Sequence, residues 1–206
     1  MRIDLYTTIH KAPRFHMFEL ANAIGSADLR NPRDAGMVVT RVRDMIEHLR
    51  DHAQNEETYI HPLYDGAGAS RFRSEHEELE TDLRRIEHAI EEAGLQGLYA
   101  AYVRFLGTYL LHLSEEEDAQ RQVLWPRYDD QTLKAVLDRF KAERPHEAAA
   151  ADLAFMLPAL SAPELVNLFG TLKRSAPPEV FCRASAHARQ VLGLATWELL
   201  DREING

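Results

Sequence analysis

Apolar residues recur at intervals of three and four through almost the whole chain, and this helical spacing is the strongest restriction on its fold. Runs of β-branched residues are few, and glycine, proline and asparagine stand where the spacing breaks. The pattern predicts an all-α protein. We expect an antiparallel up-down-up-down four-helix bundle over residues 1–128, followed by a smaller C-terminal helical region over residues 129–206.

Turn and cap signals divide this pattern into helices. Asn31 followed by Pro32 is typical of a helix start, and Ser161 with Glu164 has the spacing of a capping box. Glycine and proline mark the expected ends, among them Gly94 for the third helix. The predicted long helices cover about residues 4–24, 32–64, 70–92 and 96–124, and shorter ones cover 130–143, 146–157, 161–173 and 177 onward.

Charge and composition exclude several classes of protein. The chain has 33 Asp and Glu against 24 Lys and Arg, a net charge of −9, which disfavours binding to a phosphate backbone. No apolar run approaches the roughly 20 residues that span a bilayer, and no signal peptide is recognisable. The single cysteine, Cys182, cannot form an intrachain disulfide. We expect a cytoplasmic protein that binds neither nucleic acid nor membrane.

Two of the predicted helices have a histidine and a glutamate, four residues apart, inside an otherwise apolar stripe. On the second helix these are His52 and Glu56, and on the fourth helix they are His112 and Glu116. Residues four apart lie on the same face of a helix, so both pairs should point into the core of the bundle.

The first and third helices each place a histidine in the corresponding stripe, His10 and His76. His76 lies 19 residues before Leu95, in the predicted turn, and His112 lies 17 residues after it. Because successive helices of such a bundle are antiparallel, these two side chains should lie at one level. The same count about the first turn brings His10 near His52.

Burying two carboxylates among four imidazoles costs several kcal/mol or more unless a cation compensates the charge. Imidazole and carboxylate together suit iron, manganese or zinc. Six ligand residues are too many for one tetrahedral ion, and they suit two ions with bridging carboxylates. Bundles that hold two irons are built in this way. The predicted metal ligands are His10, His52, Glu56, His76, His112 and Glu116.

His10, His52-Ala-Gln-Asn-Glu56, His76 and His112-Leu-Ser-Glu-Glu116 resemble the hemerythrin-like family, also called the HHE cation-binding domain. The resemblance covers about residues 4–128. It implies a non-haem di-iron centre that binds oxygen, peroxide or nitric oxide. It also implies that His10 and His52 serve one iron, His76 and His112 serve the other, and Glu56 and Glu116 bridge them.

Two positions depart from the hemerythrins that carry oxygen. Their third helix supplies two histidines one turn apart, whereas Phe72 occupies the earlier position here. Their last bridging carboxylate is an Asp five residues after the histidine, whereas Glu116 follows His112 at four. These differences favour the broader bacterial subgroup, which is linked to redox sensing, peroxide or nitric oxide chemistry, and iron handling. The C-terminal helices resemble an extension found in that subgroup.

Several alternatives stay open at this stage. His16 competes with His10, Glu80 competes for the second ion, and His61 and Glu57 lie off the apolar stripe. A structural zinc site is an alternative to iron. The predicted function is the binding of a small ligand in redox or nitrosative stress, with turnover undecided. The alternative is an iron- or oxygen-responsive regulatory or iron-handling module, acting as a homodimer or on a protein partner.

Overall fold

The computed structural model describes residues 2–91, 95 and 97–205, and none of them is in a β-strand. Four long helices come first: α1 (Thr7–Ser26), α2 (Pro32–Tyr59), α3 (Gly66–Glu91) and α4 (Leu98–Ala119). Each packs against the next, and α1 also packs against α4, so the four helices surround a common core. The prediction of an all-α bundle is confirmed. The expected helix ends at Glu92 and Gly94 and the start at Gln96 lie outside the described residues.

The apolar stripes face the core as the periodicity predicted. In α2 the buried stripe includes Val38, Val42, Met45 and Leu49. In α3 the same stripe continues from Phe72 through Leu79, Leu83 and Ile86. Burial of such a face, at roughly 25 cal/mol per Å², is the main force holding the bundle together.

Side-chain caps set the starts of the first three long helices. Asp4 accepts hydrogen bonds from the backbone N–H of Tyr6 and of Thr7, so α1 begins at Thr7 and not at Asp4. Asn31 accepts from the N–H of Arg33, at 3.0 Å, which confirms the predicted start of α2. Asp65 accepts from the N–H of Gly68, and α3 begins four residues earlier than predicted.

The predicted continuation of α2 to Tyr64 is wrong. The α-helix ends at Tyr59, and a tight 3₁₀ turn from His61 to Leu63 follows. Pro62 within this turn has no backbone N–H to donate and its ring crowds the preceding turn, so the regular helix stops before it. The change of helical geometry rotates His61 toward the core, where it is buried.

The fourth helix also changes geometry near its end. A π-helical turn, Gln120–Leu124, follows α4 and leads into the short α5 (Trp125–Arg127). The buried Gln120 side chain accepts a hydrogen bond from the N–H of Leu5 and donates one to Asp4. This turn therefore ties the end of α4 to the segment that leads into α1, close to Glu116. Such π turns are frequent near functional sites.

The remaining helices are α6 (Asp130–Glu143), α7 (His146–Met156), α8 (Ala162–Ser175), α9 (Pro178–Val191) and α10 (Leu194–Asn205). Glu164 accepts from the N–H of Ser161, as the predicted capping box requires. The expected single helix from Pro177 onward is wrong, because it is broken after Val191, next to Gly193. Within the described part of the chain, none of the helices has both the length and the apolar character of a membrane span.

These helices form two compact units, 1–140 and 141–206. Leu133 of α6 is fully buried in an apolar cluster with Leu5, Tyr64 and Leu124 of the first unit. The second unit has its own core, centred on Leu157, Leu165, Phe169 and Leu200. The expected division into domains at residues 128 and 129 stays a prediction.

Candidate metal centre

The six residues predicted as ligands meet in the interior of the bundle. His10 and Glu116 are completely buried, Glu56, His76 and His112 are nearly so, and His52 keeps 15% of its side chain exposed. Each of the four long helices contributes at least one of these residues. The side chains point inward because each residue occupies a position in the apolar stripe of its helix. The positions that the sequence placed at one level are therefore neighbours in space.

The first group of donor atoms forms around Glu56. His10 Nε2 and His52 Nε2 each lie 3.1 Å from Glu56 Oε1. His10 Nε2 also lies 3.5 Å from Glu116 Oε2. Two imidazoles and one oxygen from each glutamate thus face one small volume.

The second group forms around the other oxygen of Glu116. His61 Nε2 lies 3.0 Å and His112 Nε2 lies 3.4 Å from Glu116 Oε1. His76 Nε2 lies 3.1 Å from His112 Nε2 and 3.6 Å from Glu56 Oε2. Three imidazoles therefore converge here with one oxygen from each glutamate.

These separations fit ligands that surround metal ions. Imidazole nitrogens bind an ion such as zinc at about 2.0–2.1 Å, so two ligands at a right angle lie about 3 Å apart. Glu56 turns Oε1 toward the first group and Oε2 toward the second, and Glu116 does the reverse. Each glutamate is thus placed to touch both groups, as a bridging ligand would be.

Buried polar atoms without partners give a second test of the fit. Among the residues that the structure describes, five buried side-chain nitrogen or oxygen atoms lack a hydrogen bond, and four belong to this cluster. They are His52 Nε2, Glu56 Oε2, His61 Nδ1 and Glu116 Oε2. A buried polar atom left unpaired costs about 1–3 kcal/mol, so the cluster is poorly satisfied by protein groups alone. Cations would satisfy three of these atoms directly.

The surroundings act in opposite directions on the two central glutamates. Burial acts to raise the pKa of Glu56, but the charge of His52 and the hydrogen bond from His10 hold it well below its usual range. Burial and the negative charge of Glu56 raise the pKa of Glu116 well above its usual range. The cluster therefore favours the charged form at Glu56 and the neutral form at Glu116. Burial also lowers the pKa of His61 to about 4, which keeps it in the neutral form that binds metals.

The family model of the hemerythrin HHE cation-binding domain matches residues 2–120. The chain belongs to this family. Searches of the curated proteins and of the solved structures gave no significant match. The match covers all six predicted ligands and His61, and the buried His/Glu cluster is compatible with the cation binding for which the family is named.

His61 is the residue that the sequence analysis missed in this hemerythrin-like centre. It lies off the α2 stripe in sequence, yet the turn after α2 brings it into the second group. The His61 ring stacks on that of Phe72, with ring centroids 5.1 Å apart. Phe72 occupies the sequence position at which oxygen-carrying hemerythrins have a further histidine. The one signal in the sequence was Pro62. A proline here ends the regular α-helix, so the repeat of α2 no longer gives the direction of the His61 side chain.

Three glutamates at the edge of the cluster orient the imidazoles. His10 Nδ1 pairs with Glu117 at 3.1 Å, His76 Nδ1 pairs with Glu57 at 2.9 Å, and His112 Nδ1 pairs with Glu75 at 2.9 Å. An Nδ1–H that donates to a carboxylate fixes the tautomer and leaves Nε2 free as a ligand atom. In the sequence Glu57 lies off the apolar stripe, and none of these three glutamates is predicted to have a role at the cluster.

The two competing candidates lie outside the cluster. His16 is partly exposed, and its Nδ1 lies 4.0 Å from Glu19. Glu80 accepts hydrogen bonds from Arg50 and Arg84. The structure therefore favours His10 over His16 and places Glu80 in an ion pair.

Proposed function

We propose that this protein holds two non-haem iron ions, with Glu56 and Glu116 bridging them, and binds oxygen, nitric oxide or hydrogen peroxide. One group of ligands is His10 and His52, and the other is His61, His76 and His112. The observation that carries the proposal is that each buried glutamate turns one oxygen to each group of imidazoles. This arrangement supports two cations better than one.

The donor set supports a pair of iron or manganese ions above a single zinc ion, and of the two metals we propose iron. Five imidazoles and two carboxylates exceed what one tetrahedral zinc ion takes, and mixed nitrogen and oxygen donors suit iron or manganese. The first group offers four protein donors and the second offers five, fewer than about six for an octahedral ion. Iron would supply redox chemistry and open positions for a small ligand, and we therefore propose a role in redox or nitrosative stress.

Metal analysis of protein purified from iron-supplemented cells tests this function. We expect about two irons per chain and an absorption spectrum that changes under air, nitric oxide or peroxide. Peroxide consumption by the iron-loaded protein then distinguishes turnover from simple binding. Tightly bound zinc, with no visible absorption and no response to these ligands, would contradict the proposal.

Replacement of His61 tests the composition of the second group. In His61→Ala we expect roughly half of the iron to be lost, because the second group retains only His76 and His112 as imidazoles. In the double variant His61→Ala with Phe72→His we expect recovery, because residue 72 lies one turn before His76 and its ring already contacts that of His61. Iron content and the visible spectrum are the measurements.

His16→Ala is the matched control, because it removes a histidine of the same bundle that lies outside the cluster. We expect its iron content to equal that of the unaltered protein. If His61→Ala retains two irons and an unchanged spectrum, His61 is not a ligand and the second group is smaller than proposed.

A further inference from the structure

An open crevice of about 500 Å³ lies between α2 and α3. Leu49 and Ala53 form part of its α2 wall, Leu79 and Leu83 form part of its α3 wall, and Phe105 of α4 lies across the gap. The proposed ligand His76 and the nearby Tyr109 also line it. The crevice therefore connects the surface of the bundle with the edge of the cluster.

Tyr109 joins the crevice to the second group of imidazoles. It is 4% exposed and lies one turn before His112 on α4. Its ring centroid lies 6.1 Å from that of His112. The phenol is therefore next to one of the proposed ligands. A small molecule that moves along the crevice meets this phenol beside the proposed ions.

The Arg50 side chain spans the crevice from α2 to α3. Its Nε lies 2.9 Å from Glu80 Oε2, and its Nη1 lies 2.7 Å from Glu87 Oε1. Its Nη2 donates to both carboxylates at 2.9 Å, so the guanidinium binds the two glutamates together. All three side chains are about one-third exposed, so water reaches both ion pairs and competes for them when the bridge opens.

The charges around the crevice favour an uncharged ligand. Arg50 and Arg84 line it, together with Glu57, Glu77 and Glu80, and Glu87 adds a further negative charge at Arg50. Acidic groups are therefore in excess, and a small anion approaches against their field. For a neutral diatomic molecule, contact with the apolar walls carries no free-energy penalty.

We propose that this crevice is the route by which a small uncharged ligand reaches the metal centre, and that the Arg50 bridge to Glu80 and Glu87 regulates its opening. The inference rests on the proposed function, because it requires ions at the cluster. It goes beyond that function by assigning an entry path, a charge preference and a residue that controls access.

Ala53→Trp tests the route by filling the crevice from its α2 wall. The matched control is Leu111→Trp, which adds an indole at an exposed position next to His112 in sequence. Both variants are first analysed for iron and for the spectrum of the nitric oxide complex. The rate at which nitric oxide associates with the reduced protein is then measured by stopped flow. We expect at least a tenfold decrease in Ala53→Trp and no change in Leu111→Trp.

Two further variants test the gate and the charge preference. Arg50→Ala removes the bridge and should increase the nitric oxide association rate severalfold at unchanged iron content. Glu77→Lys reverses a charge at the crevice and should accelerate azide association with the oxidised protein, while the nitric oxide rate stays constant. Arg50→Ala also keeps the proposal testable if Ala53→Trp fails to bind iron.

The outcomes separate the two proposals. Normal iron content with unaltered nitric oxide rates in Ala53→Trp overturns the route. An unaltered nitric oxide rate in Arg50→Ala overturns the regulation by the Arg50 bridge, and neither result affects the proposed function. Equal azide rates in Glu77→Lys and the unaltered protein overturn the charge preference. Absence of iron, or of any ligand-dependent spectrum, in the unaltered protein overturns the proposed function itself.

Discussion

Glu116→Gln is expected to reduce the iron content from about two per chain to less than half an ion per chain. The Glu116 side chain lies between the two groups of imidazoles, and its two oxygens face different groups. An amide is a weak metal ligand and carries no charge to balance a cation. Loss of one bridge should therefore weaken both sites together, whereas loss of His61 affects mainly one. The measurement is iron per chain by elemental analysis after gel filtration.

The same substitution should leave the fold intact. Burial and the charge of Glu56 raise the pKa of Glu116, and this shift favours a neutral side chain at this position. A glutamine has almost the same shape as the protonated acid. Glu115→Gln is the control, because Glu115 is half exposed and pairs with Arg71 at the surface. Two irons in Glu116→Gln would show that this residue does not bridge.

Removal of the metal is expected to lower the melting temperature of the first unit by about 10 °C or more. A ligand at a thousand times its Kd adds about 4 kcal/mol to the stability of the folded state. In a protein of this size each kcal/mol changes Tm by about 2–4 °C. Without cations, the unpaired buried atoms of the cluster have no partners. Calorimetry of the chelator-treated and iron-reloaded protein measures the difference.

Hydrogen exchange locates this stabilisation and contains its own control. Peptides from α1 to α4 should exchange faster after the metal is removed, because all four helices carry proposed ligands. Peptides from α8 to α10 belong to a unit with a separate core and should exchange equally in both forms. If peptides from α1 to α4 exchange at the same rate with and without metal, cations do not stabilise the bundle.

Local patterns in the sequence were sufficient for most of the fold and for six of the seven residues of the cluster. Apolar periodicity assigns Val38, Val42 and Leu49 to one face of α2, and the same period carries His52 and Glu56 onto that face. Since the helices are long and their connections short, counting residues from each turn also predicts which side chains meet. These inferences depend only on repeat length and chain direction.

Positions where the helical repeat changes could not be predicted in the same way. His61 follows the end of α2 in a 3₁₀ turn, so its direction depends on packing against Phe72 and not on the α2 period. The pairings of Glu57, Glu75 and Glu117 with the outer imidazole nitrogens depend on distances between different helices. The crevice beside Arg50 likewise exists only when α2 and α3 are placed side by side.

The order of the residues is enough to predict that helices form, which faces are buried, and that histidine and glutamate interrupt those faces at matching levels. The approach of His61 to the second group, and the turn of each central glutamate toward both groups, depend on the packing of the helices. The two kinds of feature differ in the range of the interactions that produce them. Periodicity is a property of a few neighbouring residues, whereas the direction of a carboxylate oxygen is set by contacts between helices distant in the chain.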